Sequence, residues 1–170
     1  NHATLGINAH EFVSASSSLL YTLLLGFLTK IFSSAILMPF IVNSIAAIFL
    51  LVAVNNWLAR QQLELGAIVL INVLAVFFIP LPILIISGME HTLQCLFSFL
   101  FLFHSCEWIS ANQNVKGPKL PWTVPVYAIL LAATRYEGLF LISIVCLVFI
   151  YYRKINAAVI TAAIGLVPLI

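Results

Sequence analysis

AILMPFIVNSIAAIFLLVAVNNWLA, residues 35–59, contains no charged side chain and is closed by Arg60-Gln61-Gln62. A helix needs about 20 apolar residues to cross about 30 Å of hydrocarbon, and this run supplies them. Pro39 falls near the first turn, where proline is tolerated. Reading outward, residues 66–86 form a second uncharged run, with Pro80 and Pro82 placed to kink its end. Residues 91–110 form a third. A polar, basic stretch, 111–119, is the clearest loop. Residues 121–134, 136–152 and 156–170 are further apolar runs, the second closed by Tyr151-Tyr152-Arg153-Lys154. The reading is an all-α, polytopic transmembrane helical bundle forming a single partial domain over 1–170.

Composition agrees with that class. Hydrophobic residues make up 64% and charged residues 7%, and aspartate is absent; soluble domains run near ~25% charged. A disordered chain, a disulfide scaffold and an ordinary soluble enzyme are excluded. The formal charge of +2 gives no electrostatic footprint for nucleic acid. Cys95, Cys106 and Cys146 lie in apolar runs without CxxC spacing and read as small buried hydrophobes. The chain begins without methionine and reaches Ile170 within an apolar run, so it is expected to be an interior piece of a longer protein. Residues 18–32 are apolar but only about four turns long, with Thr22, Gly26, Thr29 and Lys30 at helical spacing. Such a helix is expected to lie along the membrane interface, after an outer loop over 1–17, with a short or truncated transmembrane helix as the alternative.

Charge asymmetry orients the bundle. With 35–59 as the first crossing, Arg60, Lys116, Lys119, Arg153 and Lys154 share one side, and Lys30 and Arg135 the other. The positive-inside rule makes the first side cytoplasmic. The turns at 87–90 and 134–137 then both face outward.

Those two turns hold the candidate chemistry. Ser87-Gly88-Met89-Glu90 and Thr134-Arg135-Tyr136-Glu137 each match the Ser/Thr-x-x-Glu capping box before an apolar run. A structural role for both glutamates follows from that pattern. Against it stands Arg135, a cation at a helix start where it opposes the dipole. A bound anion would relieve it, and so would pairing with Glu137 or Glu90 or snorkelling to lipid headgroups. Glu90, Gln94, Ser98 and Ser105 form one stripe of the third span and are expected to face inward. His91 and Cys95 lie one turn apart, too few for a metal site. His104 reads as a packing residue, Glu107 as solvated, and Asn43 and Asn72 as hydrogen-bonding between helices. His2, His10, Glu11 and the serines up to Ser18 form either a wet loop with a serine cap or the wall of an external site. No Walker, GxGxxG, HExxH or GxSxG pattern occurs.

The order of segments is similar to a known family. Glu11-Phe12-Val13-Ser14-Ala15-Ser16-Ser17-Ser18-Leu19-Leu20-Tyr21-Thr22-Leu23-Leu24-Leu25, then Ser87-Gly88-Met89-Glu90-His91-Thr92, then Thr134-Arg135-Tyr136-Glu137-Gly138 resemble the polytopic GT-C glycosyltransferases. The nearest kinds are bacterial arabinofuranosyl-, protein mannosyl- and aminoarabinose-transferases, in which the serine-rich stretch often carries a proline where Leu19 stands here. The resemblance implies an inverting transferase in the bacterial inner membrane with an extracytoplasmic site. It implies transfer of a sugar from a polyprenyl-phosphate donor to a hydroxyl of a glycan, lipid or protein. On this reading Glu90 and Glu11 are catalytic candidates, and Arg135, Glu137, His10 and His91 bind substrate. No residue is assigned to a metal, and a divalent cation is left open. The family's usual acidic pair would precede Asn1, so the main base is expected upstream. A small-solute transporter or channel lined by Glu90, Arg135 and Glu137 is the alternative, as is a non-catalytic membrane scaffold.

Overall fold

The computed structural model describes residues 18–32, 36–113, 115 and 118–169. Among these, all regular structure is helical: α1 Leu19–Phe32, α2 Leu37–Arg60, α3 Leu65–Phe78, α4 Leu81–Ser87, α5 His91–Ala111, α6 Thr123–Thr134, α7 Gly138–Tyr151 and α8 Ile155–Gly165, with a closing 3-10 turn Val167–Leu169. The breaks follow the sequence. Pro80 divides α3 from α4 with a bend of 42°, since proline removes a helix donor and crowds the preceding turn. Gly88 ends α4 at φ 66°, where a residue without Cβ is unstrained. Ser18 caps α1 by accepting the Tyr21 amide at 3.3 Å.

Two helices, α2 and α5, are long and apolar enough to cross a membrane, and the bent α3–α4 pair makes a third if counted as one span. The remaining helices are shorter: α6, α7 and α8 have 12, 14 and 11 residues. At 1.5 Å rise per residue none of these alone covers the ~30 Å core.

Two apolar clusters share α5 as their spine. On one side Phe101, Leu131, Ile142, Phe149 and Ala157 unite α5 with α6, α7 and α8. On the other, Tyr21, Ala46, Leu50, Leu81 and Leu93 unite α5 with α1, α2 and α4. Phe97 touches both. Large side chains on the outer faces remain uncovered, including Phe77, Phe78, Phe140 and Tyr151, and α3 buries none of its residues. An apolar exterior around a packed interior is what a bilayer solvent demands.

The direction of α5 defines two ends. At its start lie Glu90, His91 and the α6–α7 turn. At its finish Arg60 pairs with Glu107 at 2.9 Å. The Trp108 indole donates to Lys119 O at 3.0 Å, and Lys154 reaches Val115 O. The basic residues grouped by sequence as one side and described here thus gather at one end.

Candidate functional site

The turn between α6 and α7 is built by one extended residue and one glycine. Arg135 leaves α6 with φ −156° and ψ 140°, which swings its side chain away from the helix axis. Gly138 then starts α7 so close to α6 that an added Cβ would meet Leu131 Cγ at 2.7 Å and its carbonyl oxygen at 2.9 Å. Only a residue without Cβ fits there without displacing backbone.

Arg135 gathers three other side chains. Its Nη1 donates to Glu90 Oε1 at 3.0 Å and to His91 Nδ1 at 3.2 Å. Its Nε donates to Glu137 Oε2 at 3.0 Å and its Nη2 to Glu137 Oε1 at 2.7 Å, a two-pronged pair. The two carboxylates differ in setting. The Glu90 side chain is 10% exposed, and that of Glu137 is 61% exposed. The Arg135 guanidinium, aided by a backbone hydrogen bond, holds the Glu137 carboxyl down at about 2 from an ordinary 4.5. Glu137 in turn raises Arg135, with Glu90 adding to the effect.

A second layer fixes the Glu90 turn. Tyr21 Oη donates to Gly88 O at 2.7 Å and accepts from Asn43 Nδ2 at 3.2 Å. Asn43 is fully buried, and its Oδ1, the Thr92 hydroxyl and the Gln94 Oε1 are buried without a partner among the described residues. The interior beside the site is therefore polar enough to hold water or a ligand hydroxyl. Among the described residues no group of three or more His, Cys, Asp or Glu side chains is arranged to hold a metal ion; Glu90, His91 and Glu137 converge on the Arg135 guanidinium instead.

Glu90, His91, Arg135 and Glu137, placed on one outward side by sequence, come together in space. Glu11 and His10 lie outside the described residues. The capping boxes do not form. Ser87 Oγ donates to Leu84 O and Thr134 Oγ1 to Leu130 O, 2.8 and 2.6 Å away. Both residues end the preceding helix instead of capping the next, so their hydroxyls fall back on its carbonyls. Of the expected α5 stripe, Glu90 and Ser105 are buried while Gln94 and Ser98 are half-buried. Glu107 is exposed as expected, but it is paired to Arg60. Asn72 bridges to Asn55 of α2 at 3.4 Å. His104 packs edge-on to Phe103 and beside Tyr127.

Tyr21 and Asn43 are the support residues that sequence reasoning did not assign to the site. Asn43 had one signal, a lone amide in an apolar span. Tyr21 had none beyond its place in the serine-to-leucine stretch. No protein-family model, no curated protein and no solved structure matches the chain.

Proposed function

We propose that this chain is part of a polytopic membrane glycosyltransferase of the GT-C kind, using a polyprenyl-phosphate sugar as donor on the extracytoplasmic face. The observation that carries this reading is the pairing of Arg135 with Glu90 and Glu137 across two turns 45 residues apart in sequence. On this reading α1 lies along the outer interface, and the Arg135 end of the bundle faces outward. The Nε–Nη2 edge of Arg135 is the fork that a phosphate takes, and the exposed Glu137 occupies it in the donor-free protein. The donor phosphate replaces Glu137 there, while buried Glu90 keeps hold of Nη1 and fixes the guanidinium plane. Transfer then breaks the bond from the anomeric carbon to the phosphate oxygen and forms one to the acceptor oxygen. The charge left on the phosphate is met by Arg135, and the acceptor proton passes to a carboxylate. Glu90, salt-bridged as it is, serves as a positioning residue. The base is Glu11 or a carboxylate upstream of Asn1.

The test is sugar transfer by the full-length enzyme at limiting donor. Arg135→Ala should lose most activity. Arg135→Lys should lose less, because it keeps charge but not the fork. Full activity of a well-folded Arg135→Ala protein would sink the assignment. A second reading is favoured by the same ion pairs: both carboxylates already neutralise Arg135, so the cluster can act as a static clamp of a membrane scaffold. Under that reading each Arg135 variant loses stability, and no variant changes donor KM.

A further inference from the structure

The opposite end of the bundle holds cations that the ion pairs leave out. α7 finishes in a Schellman turn, with Arg153 N–H bonded to Ile150 O and Lys154 N–H to Phe149 O, both at 2.8 Å. The residue that must turn left-handed there is Arg153, at φ 58°, a conformation for which glycine is the usual choice. Side chains held at such cost are over-represented at binding sites. Lys154 follows and is 8% exposed. Its ammonium donates to Val115 O at 2.5 Å. Among the described residues no carboxylate pairs with Arg153 or Lys154.

Both cations line an open cleft. One pocket of about 220 Å³ is bounded by Trp108, Pro118, Arg153, Lys154 and Asn156. A second, of about 410 Å³, shares Pro118 and Asn156 with it and adds Lys119. Among the described residues, three cations and no carboxylate line the pair. The flank is apolar and exposed, with Tyr151 81%, Ile155 61% and Val159 61% exposed. Cations just past a helix C-terminus complement its dipole, which accounts for their presence near α7. It does not account for a left-handed arginine or for a buried ammonium without a counter-charge.

We infer that this cleft binds a phosphate ester, with Arg153 and Lys154 as its cationic contacts. The ester is either the headgroup of an anionic phospholipid or a soluble phosphate compound; the chemistry recognised is the same. The site is separate from the Arg135 cluster, so it stands or falls apart from the glycosyltransferase reading.

The experiment is thermal unfolding of the full-length protein in nanodiscs of phosphatidylcholine, of phosphatidylcholine with phosphatidylglycerol, and of phosphatidylcholine with millimolar inorganic phosphate. Anionic lipid should raise the unfolding temperature, and titration of the lipid fraction should saturate. Arg153→Gly suits the left-handed backbone, so it should fold, unfold later in pure phosphatidylcholine, and bind the anion about fivefold more weakly. Lys154→Met should weaken it likewise. Arg60→Gln removes a cation at the same end that already has a carboxylate partner, and it should leave the increment unchanged. An increment from inorganic phosphate alone, lost in Arg153→Gly, identifies a soluble ester; one from phosphatidylglycerol alone identifies the lipid. If neither probe stabilises the protein, the inference is wrong. It is equally wrong if Arg153→Gly keeps the whole increment, or if Arg60→Gln loses as much as Arg153→Gly.

Discussion

The two turns that flank α7 both carry cations, but they are built and charged differently. The first, Arg135 to Glu137, brings a cation to the start of α7 and surrounds it with the carboxylates of Glu90 and Glu137. The second, Tyr152 to Lys154, brings two cations to the start of α8 and gives Lys154 a backbone carbonyl. A cation at a helix N-terminus opposes the dipole in both places. The first turn relieves the conflict internally, with one more carboxylate than cation. The second has no carboxylate among the described residues, and beyond that carbonyl only the C-terminal dipole of α7 favours its cations. Position at a helix terminus therefore does not identify an anion site; the count of partners around the cation does.

The most severe way to break this comparison is to remove the first turn's geometry. Gly138→Ala places a methyl group against the Leu131 backbone, where a flexible side chain cannot yield. A loss of about 3 kcal/mol or more is expected, read as a lower unfolding temperature in detergent or as failure to fold. At the second turn, Arg153→Ala meets no such contact and should cost little. Wild-type stability in Gly138→Ala would show that α6 and α7 do not approach as closely as described.

Next in size is Glu90. Glu90→Ala leaves a partly buried guanidinium short of a partner and should cost about 3 kcal/mol. Glu90→Gln keeps a hydrogen-bond acceptor and should cost about half that. On the transferase reading, a positioning role for Glu90 predicts that Glu90→Gln raises donor KM more than it lowers kcat in a transfer assay on the full-length protein. A fall in kcat alone would restore Glu90 as the acceptor's base.

Much of this was legible in the sequence, and the failures have a common cause. Uncharged runs marked α2, α3 and α5, because bilayer-compatible helices need long apolar stretches. The pairing of Arg135 with Glu90 or Glu137 was one of three outcomes that the residues allowed. What the sequence could not decide was which helix owned each boundary residue. Ser87 and Thr134 read as caps of the following helices, yet each completes the preceding one. Gly88 and Arg135, the next residues, are where the backbone leaves the helix. That shift of ownership frees the Glu137 carboxylate from the capping box to meet the arginine. It also hides the support from Tyr21, whose bond to Gly88 O spans 67 residues. Lys154 was equally opaque, since its burial depends on how α5, the following loop and α8 close around it.

The smallest expected effect is the most discriminating, because it makes the first turn resemble the second. Glu137→Gln removes the exposed carboxylate and leaves the fork of Arg135 with a neutral partner. The side chain is 61% exposed, so the stability cost at neutral pH should be only about 0.5 kcal/mol. Its pH dependence has a definite sign. The folded-state carboxyl sits at about 2 against an ordinary 4.5. Its contribution is therefore complete above the ordinary value, declines as pH falls through that interval, and vanishes below the lower value. The difference in stability between wild type and Glu137→Gln should shrink over that same acid range; a constant difference would mean that the two-pronged pair is not what Glu137 contributes. At neutral pH the same variant weakens the competitor for the guanidinium fork. On the transferase reading, donor KM of the full-length protein should fall by about twofold, the equivalent of that small free energy. A turn whose only task is to clamp two helices has no reason to bind donor better when its exposed carboxylate is neutralised. Unchanged KM with the expected acid response would leave Arg135 as a clamp between α5 and the α6–α7 turn.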